Sequence, residues 1–281
     1  MKMIVNCGKK TFDLSTRTHI MGVINCTPDS FYSGSRRTRV DEAVAFGLQM
    51  AEDGADFLDV GGESSRPGSD PVSEQEELDR VLPVIQALSK STDIPISIDT
   101  YKASIAEAAL EAGALMINDI SAMRFDANMS SLAARYSCPV VLMHIKGRPK
   151  QMQKNPTYVD VVQEIFRYFE ACIASAEQAG VKRQRLIVDP GIGFGKRLEH
   201  NYEIIRGLSR FQALNCPILI GASRKSFIQR VLDLPPKECV EGTIAIDTIA
   251  VLNGAHILRV HDVKAARRAA AIADHYLQKR I

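Results

Sequence analysis

The sequence predicts an α/β fold, a (β/α)8 barrel with a short N-terminal hairpin, on three observations. Eight short apolar runs rich in β-branched residues recur along the 281 residues. Stretches with helical spacing lie between most of them, and several of these end at glycine, as left-handed C-caps require. The runs themselves are nearly all apolar, as parallel strands buried on both faces must be. Eight strands alternating with helices in a chain of this size form the barrel pattern, with a doubly wound open sheet as the alternative.

Taken in order, MKMIVNCGKKTFDL reads as a small hairpin that plugs the bottom of the barrel. HIMGVIN is the first barrel strand, followed by the helical RVDEAVAFGLQMAEDG, which ends at Gly54. DFLDVGG and SEQEELDRVLPVIQALSK form the second unit, and PISIDT with YKASIAEAA the third, ending at Gly113. ALMIND is the fourth strand. PVVLMH is the fifth, and the long helical YVDVVQEIFRYFEACIASAEQAG after it stops at Gly180. RLIVDP, PILIGA and, after Gly254, HILRVH complete the eight, and KAARRAAAIADHYLQKR is the last helix. With no linker or low-complexity segment, residues 1–281 are expected to form a single domain.

Composition narrows the function classes. The chain is 46% hydrophobic and 24% charged with a formal net charge of +2, so no global field favours nucleic acid or an anionic membrane as partner. The basic residues of the last helix read as a solvated face near a helix C-terminus. The N-terminus is too short and polar for a secretory signal, and no apolar run reaches the ~18–20 residues of a membrane span. Six cysteines are scattered without a CxxC pair, which points to reduced thiols in the cytoplasm rather than a disulfide framework or zinc site.

The strand ends carry the chemistry. They fall at Asn25, Asp59, Asp99, Asn118, His144, Asp189, Ser223 and the pair Arg259 and His261. In a barrel these converge on the C-terminal rim, where sites of this fold lie. One polar strand end is an ordinary helix cap; eight exceed what capping needs. Asp99, Asn118 and Asp189 come from three strands and suit a ligand rich in N–H donors, such as the edge of an aminopyrimidine or pterin. Metal coordination by the two carboxylates is the rival reading. Arg66 in GGESSRPGS, Arg224 and Lys225 in GASRKSF, and Arg259 with His261 in LRVHD would bring cations to the same rim for phosphate oxygens. DPGIGFGKR has neither nucleotide-loop spacing; its glycines are expected to let the chain turn and carry Phe194 over the mouth. SRKSF is expected to open a helix whose first N–H groups, Ser226 among them, face an anion. The ligand implied is a flat nitrogen heterocycle bearing a diphosphate, with a second substrate under two loops, TPDSFYSGSR and GGESSRPGS.

NCTPDSF, DVGGESSRPG, SIDT, INDI, DPGIGFGK, SRKSF and RVHDV, in this order over residues 18–263, together resemble the dihydropteroate synthase family. The resemblance implies condensation of 6-hydroxymethyl-7,8-dihydropterin diphosphate with 4-aminobenzoate, in a cytoplasmic, commonly dimeric enzyme blocked by sulfonamides. It implies a pterin set of Asp99, Asn118, Met143, Asp189, Lys225 and Arg259. Diphosphate would fall to Asn25, Arg66, Arg259 and His261, with Asn25 the protein ligand of Mg2+. Aminobenzoate would meet Phe31, Ser65, Pro67, Phe194, Lys225 and Ser226. Asn25, Lys225, Arg259 and His261 would be the catalytic group, and no covalent nucleophile is implied, Cys26 being a packing residue. Ser65 stands where the family more commonly has Thr, and Lys146, Arg148 and Gln151 replace commoner residues. A corrinoid-dependent pterin methyltransferase shares the acidic floor but needs no diphosphate site, so ESSRPG, SRKS and RVHD count against it. An inactive pterin-binding paralogue would not need Asn25, Arg66, Lys225, Arg259 and His261 intact.

Overall fold

The computed structural model describes residues 2–27 and 36–278. Two short strands, β1 (Ile4–Cys7) and β2 (Lys10–Asp13), pair antiparallel. Eight parallel strands follow: β3 (His19–Asn25), β4 (Phe57–Gly61), β5 (Ile96–Asp99), β6 (Met116–Asp119), β7 (Val140–Met143), β8 (Leu186–Asp189), β9 (Leu219–Ile220) and β10 (Ile257–Val260). Their order is β8-β7-β6-β5-β4-β3-β10-β9. A parallel bridge between Val188 and Ile218 joins the two ends, so the sheet is a barrel and not an open doubly wound sheet. Strand β9 is the shortest because Pro217 precedes it without an N–H and Gly221 follows it.

The helices are α1 (Arg36–Glu52), α2 (Glu74–Ser91), α3 (Ala103–Glu111), α4 (Met129–Tyr136), α5 (Val161–Gln178), α6 (Leu198–Arg206), α7 (Ser226–Leu232), α8 (Val240–Leu252) and α9 (Val263–Tyr276). The four glycines expected to end helices, Gly54, Gly113, Gly180 and Gly254, have φ between 94° and 115°, which a side chain would strain. Periodicity did not separate α7 from α8, which both lie between β9 and β10.

Alternation along each strand divides the core. Ile20, Ile24, Leu58, Val60, Ile98, Leu142 and Val188 point out and pack under the helices. Met21, Phe57, Met116, Val141, Ile187, Leu219 and Ile257 point in at the bottom and are capped by Val5, Cys7 and Leu14 of the N-terminal segment. The hairpin is therefore the expected plug; each such apolar side chain removed from water contributes roughly 1.5–3 kcal/mol. The next inward residues up each strand are polar, and they form the site.

Asp247 on α8 is a misfit in this core. It is fully buried and neither carboxylate oxygen has a hydrogen-bond partner among the described residues. Burial, and secondarily the nearby Asp262, pushes its pKa up to about 8. A carboxyl raised in the folded state makes its full contribution below its unfolded pKa, near 4, and loses it as pH rises through about 8. Asp247→Ala is therefore expected to stabilise the protein at pH 8 by about 1–2 kcal/mol and hardly at pH 4. Thermal melts across this range check it; a gain that does not grow with pH contradicts the reading.

Candidate functional site

Register brings the predicted residues to one level. Asn25 pairs with Gly61, Gly61 with Asp99, and Asp99 with Asn118 across β3 to β6. On the other side Met143 of β7 pairs with Asp189 of β8. Arg259 lies deeper, opposite Met21, and its long side chain rises to the same level.

The floor is a charged network. Arg259 Nε donates to Asp59 Oδ2 and Nη2 to Asp99 Oδ2, both at 2.6 Å, and Asn118 Nδ2 donates to Asp59 Oδ2 at 2.9 Å. The floor's cationic partner comes from β10, far away in sequence. Burial pushes Asp99 up to about 7, against the pull of Arg259 and with the push of Asp59, Glu77 and Asp119. Burial also raises Asp189, opposed by Lys225, by the Gly191 N–H at 2.7 Å, and by Lys196 and Arg259. Burial works against the Arg259 charge too, but Asp59 and Asp99 outweigh it and raise its pKa further. Asp59 is the residue that sequence reasoning noted as a strand end and then left out of the binding set. It is fully buried, orients both Arg259 and Asn118, and keeps Oδ1 without a hydrogen-bond partner among the described residues.

Lys225 stands between floor and rim. Its Nζ donates to the Ile192 carbonyl and lies 4.6 Å from the centre of the Phe194 ring. Burial lowers its pKa to about 8, with Asp189 and Asp99 raising and Arg259 lowering it. Ser226 begins α7 as expected, with Lys225 at its N-cap. Phe194 is carried over the mouth by a loop in which Gly191, Gly193 and Gly195 all have positive φ. A Cβ on Gly191 would lie 2.0 Å from the His144 carbonyl oxygen, so this loop tolerates no side chain there. Met143 is buried in an apolar cluster with Ile120, Ile145 and Met152, against which Tyr101, Phe125 and Phe194 pack.

The cationic shoulder differs from expectation in two members. Arg224 is taken up in a two-point pair with Asp262, at 3.0 and 2.7 Å. His261 lies 3.0 Å, Nδ1 to Oγ, from Ser223, and burial, helped by Arg259, Arg224 and Arg66, lowers its pKa to about 4 against the pull of Asp262. It is thus a neutral N–H donor at neutral pH. Arg66 is exposed in the loop after β4, near enough to His261 to act on it, with Ser65 half-buried and Pro67 exposed beside it. That loop is fastened through Glu63, which accepts from Tyr101 Oη at 2.7 Å, Lys102 Nζ at 2.8 Å and the Val72 N–H at 3.1 Å. Phe31, and residues 28–35 around it, lie outside the described residues.

Asn25 offers one amide oxygen at the rim, half-buried. No group of three or more His, Cys, Asp or Glu fit to hold a metal ion exists among the described residues. Asp99 is engaged by Arg259 and Asp189 by the Gly191 N–H, and a hard cation satisfied largely by phosphate oxygens and water fits a single amide oxygen. Cys26, next to it, is a thiol pushed up to about 12 by burial, which keeps it protonated at neutral pH. Beside the mouth, a cavity of about 780 Å3 is lined by Tyr101, Phe125, Ile145, Arg148, Met152 and Lys154. It contains none of the predicted site residues and borders them through the apolar cluster around Met143.

The comparisons with known proteins agree in direction. The pterin binding enzyme family matches residues 21–261. The dihydropteroate synthase of Clostridium beijerinckii is 46% identical over 95% of this chain and 97% of its own length. That of Escherichia coli K12 is 45% identical over 90% of this chain and 89% of its own. Among solved structures, the Yersinia pestis dihydropteroate synthase with a sulfonamide drug superposes with a TM-score of 0.93 at 42% identity, covering 98% of this chain and all of that one. The Xanthomonas albilineans dihydropteroate synthase with 4-aminobenzoic acid gives 0.93 at 41% identity over 99% of both chains.

Proposed function

The chain belongs to the pterin binding enzymes, and within them to the dihydropteroate synthases; on that premise we propose how its residues divide the work. The activity is that of a transferase of folate biosynthesis, joining 6-hydroxymethyl-7,8-dihydropterin diphosphate to 4-aminobenzoate to give 7,8-dihydropteroate and diphosphate, and the protein is a sulfonamide target. The observation that carries the division is the network in which Arg259 bridges Asp59 and Asp99. One guanidinium thereby touches Asp99, which would read the pterin, with Asp59 fixing it from behind, and stands below the rim where the diphosphate would lie.

In this reading Asp99, Asn118 and Asp189 accept from the pterin N–H groups, Met143 packs on the ring, and Lys225 and Arg259 border it. Asn25, Arg66, Arg259 and the neutral His261 hold the diphosphate. Ser65, Pro67, Phe194, Lys225 and Ser226, with Phe31, form the aminobenzoate pocket. Asn25 would be the protein ligand of Mg2+, which when bound supplies charge neutralisation to the leaving diphosphate.

An arylamine is neutral at physiological pH and needs no strong base. The demanding step is cleavage of the bond between the pterin methylene carbon and the diphosphate oxygen. Electron donation by the dihydropterin stabilises the resulting cation, so a dissociative, SN1-like path fits. The residues' tasks are then to stabilise the departing charge and exclude water; the amine closes the new C–N bond and the anilinium proton is released. The methyltransferase alternative leaves Arg66 and His261 without a task.

We also propose that residues 1–281 act as one domain, in the cytoplasm and as a homodimer. Six unpaired cysteines suit a reducing compartment, and no helix among the described residues is long and apolar enough to cross a membrane. Exposed Val231, Leu232 and Leu234 at the end of α7, and Ile249 and Leu252 on α8, offer apolar surface for a second copy. Sedimentation equilibrium with Leu232→Glu checks the dimer: a monomeric variant is expected.

The direct test incubates purified protein with pterin diphosphate, 4-aminobenzoate and Mg2+, following dihydropteroate and diphosphate in equal amounts. Binding without product would overturn the synthase assignment. Asn25→Ala is expected to weaken apparent Mg2+ affinity in this assay on the order of 10- to 100-fold while leaving the affinity for the diphosphate-free pterin unchanged. Wild-type Mg2+ dependence in that variant would remove Asn25 from the role.

A further inference from the structure

Lys196 is a second buried lysine at the mouth, and the division of work above gives it no task. It follows the glycine-rich loop after β8 and is only 3% exposed. Its Nζ lies 2.9 Å from His144 Nδ1, 3.0 Å from the Phe194 carbonyl oxygen and 3.4 Å from the His144 carbonyl oxygen. These three acceptors surround the amine. Burial drives the Lys196 pKa down, with Asp189 opposing and Lys225 and Lys146 adding to the fall. Burial likewise holds His144 neutral. Burying a lysine is costly, and the same apolar space could be filled without a charge. The arrangement has to be explained by what the amine holds.

Among the described residues, it holds the one carbonyl of the loop, that of Phe194, that no other group engages. Among the described residues, the Gly191 carbonyl accepts from the Phe194 N–H at 3.1 Å, and the Ile192 carbonyl from Lys225. The Gly193 carbonyl accepts from Gln153 at 2.6 Å and the Gly195 carbonyl from Tyr158 Oη at 2.8 Å. The Phe194 carbonyl is held by Lys196, which at its other end grips the residue where β7 runs out. Backbone contact is already close there, since a Cβ on Gly195 would fall 2.5 Å from the Lys146 carbonyl oxygen.

We propose that Lys196 is a positioning residue for the second substrate: it clips the peptide of Phe194 to the end of β7 and so fixes the ring against Lys225 as a wall of the aminobenzoate pocket. This rests on the assignment of Phe194 to that pocket. Asp99 and Asn118 lie on other strands, and Asp189 and Met143, which adjoin His144, are held by the β7–β8 register and the Gly191 N–H, so the pterin should feel the loss of the clip less than the second substrate does.

Steady-state kinetics in both substrates, with calorimetric titration of pterin diphosphate, test the proposal. Lys196→Met is expected to raise KM for aminobenzoate about tenfold or more, because small displacements of a positioning group have large effects. The Kd for pterin diphosphate is expected to change less than about threefold. Should Lys196→Met not fold, Lys196→Gln, which keeps an N–H for the Phe194 carbonyl, carries the test with an intermediate KM. An unchanged aminobenzoate KM overturns the proposal, and so does an equal loss of affinity for both substrates, the mark of general loosening. Phe194→Ala separates the two levels. If it leaves aminobenzoate KM unchanged, the pocket assignment fails and the clip with it; if it raises KM while Lys196→Met does not, the clip alone fails.

Discussion

Asp99→Asn is expected to lower kcat/KM for pterin diphosphate by about 10²–10³, with little change in thermal midpoint. The substitution keeps size and shape but removes the charge behind the bonds to the pterin edge, and ionic hydrogen bonds are worth roughly 1.5–3 kcal/mol each. Stability should hold because burial has already raised this carboxyl to about 7, so its ionised form contributes little to folding near neutrality. The same burial predicts a pH dependence. As pH falls through about 7, Asp99 takes up a proton and loses acceptor capacity, so kcat/KM for pterin diphosphate in the wild type should decline on the acid side. Arg259 restrains that protonation, and Asp59, Glu77 and Asp119 promote it. Asp99→Asn should flatten this limb. Initial rates between pH 5.5 and 8.5 for both proteins check the prediction, and an identical acid limb in the variant would remove Asp99 from it.

The second large effect is expected at Arg259. Arg259→Met should cost about 10³ in kcat, the scale seen when a donor to developing negative charge is removed, for two separable reasons. It takes away the cation nearest the proposed diphosphate site. It also leaves Asp59 and Asp99, each bonded to the same guanidinium at 2.6 Å, as two carboxylates without their shared partner. Like charges that close disfavour double ionisation, so Asp99 should climb beyond about 7. Raising the pH should therefore restore part of the pterin affinity of Arg259→Met but not its turnover. Arg259→Lys should retain one contact and fall between, because an ammonium lacks the fork that reaches both carboxylates. Parallel recovery of affinity and turnover with pH would contradict the double role.

What the sequence disclosed, and what it withheld, follows from range. Each barrel strand was legible because its apolar run is continuous and ends abruptly at a polar residue, a pattern local to a few positions. The same locality put Asn25, Asp99, Asn118 and Asp189 on the rim, and the barrel register brings them level. The network that links them was not legible. Asp59 meets Arg259 across 200 positions of sequence, and Asp99 meets it across 160. Arg224 reads locally as a free rim cation, yet Asp262, 38 residues later, pairs with it. His261 reads as a cation beside Arg259, but its charge state depends on burial and on the arginines gathered around it. Lys196 sits in a motif read for its glycines and Phe194, and only the fold brings His144 beneath it. Identity of a residue is local; its protonation and partner are not.

The central claim is that the mouth has two parts, a carboxylate floor for the pterin and a separate shoulder for the diphosphate. Calorimetric titration of the wild type with 6-hydroxymethyl-7,8-dihydropterin diphosphate and with the same pterin lacking the diphosphate, each with and without Mg2+, tests it most directly. The predicted result is that both ligands bind, that the diphosphate form binds more tightly, and that only its affinity rises with Mg2+. Equal affinities for the two ligands, unmoved by Mg2+, would contradict the claim.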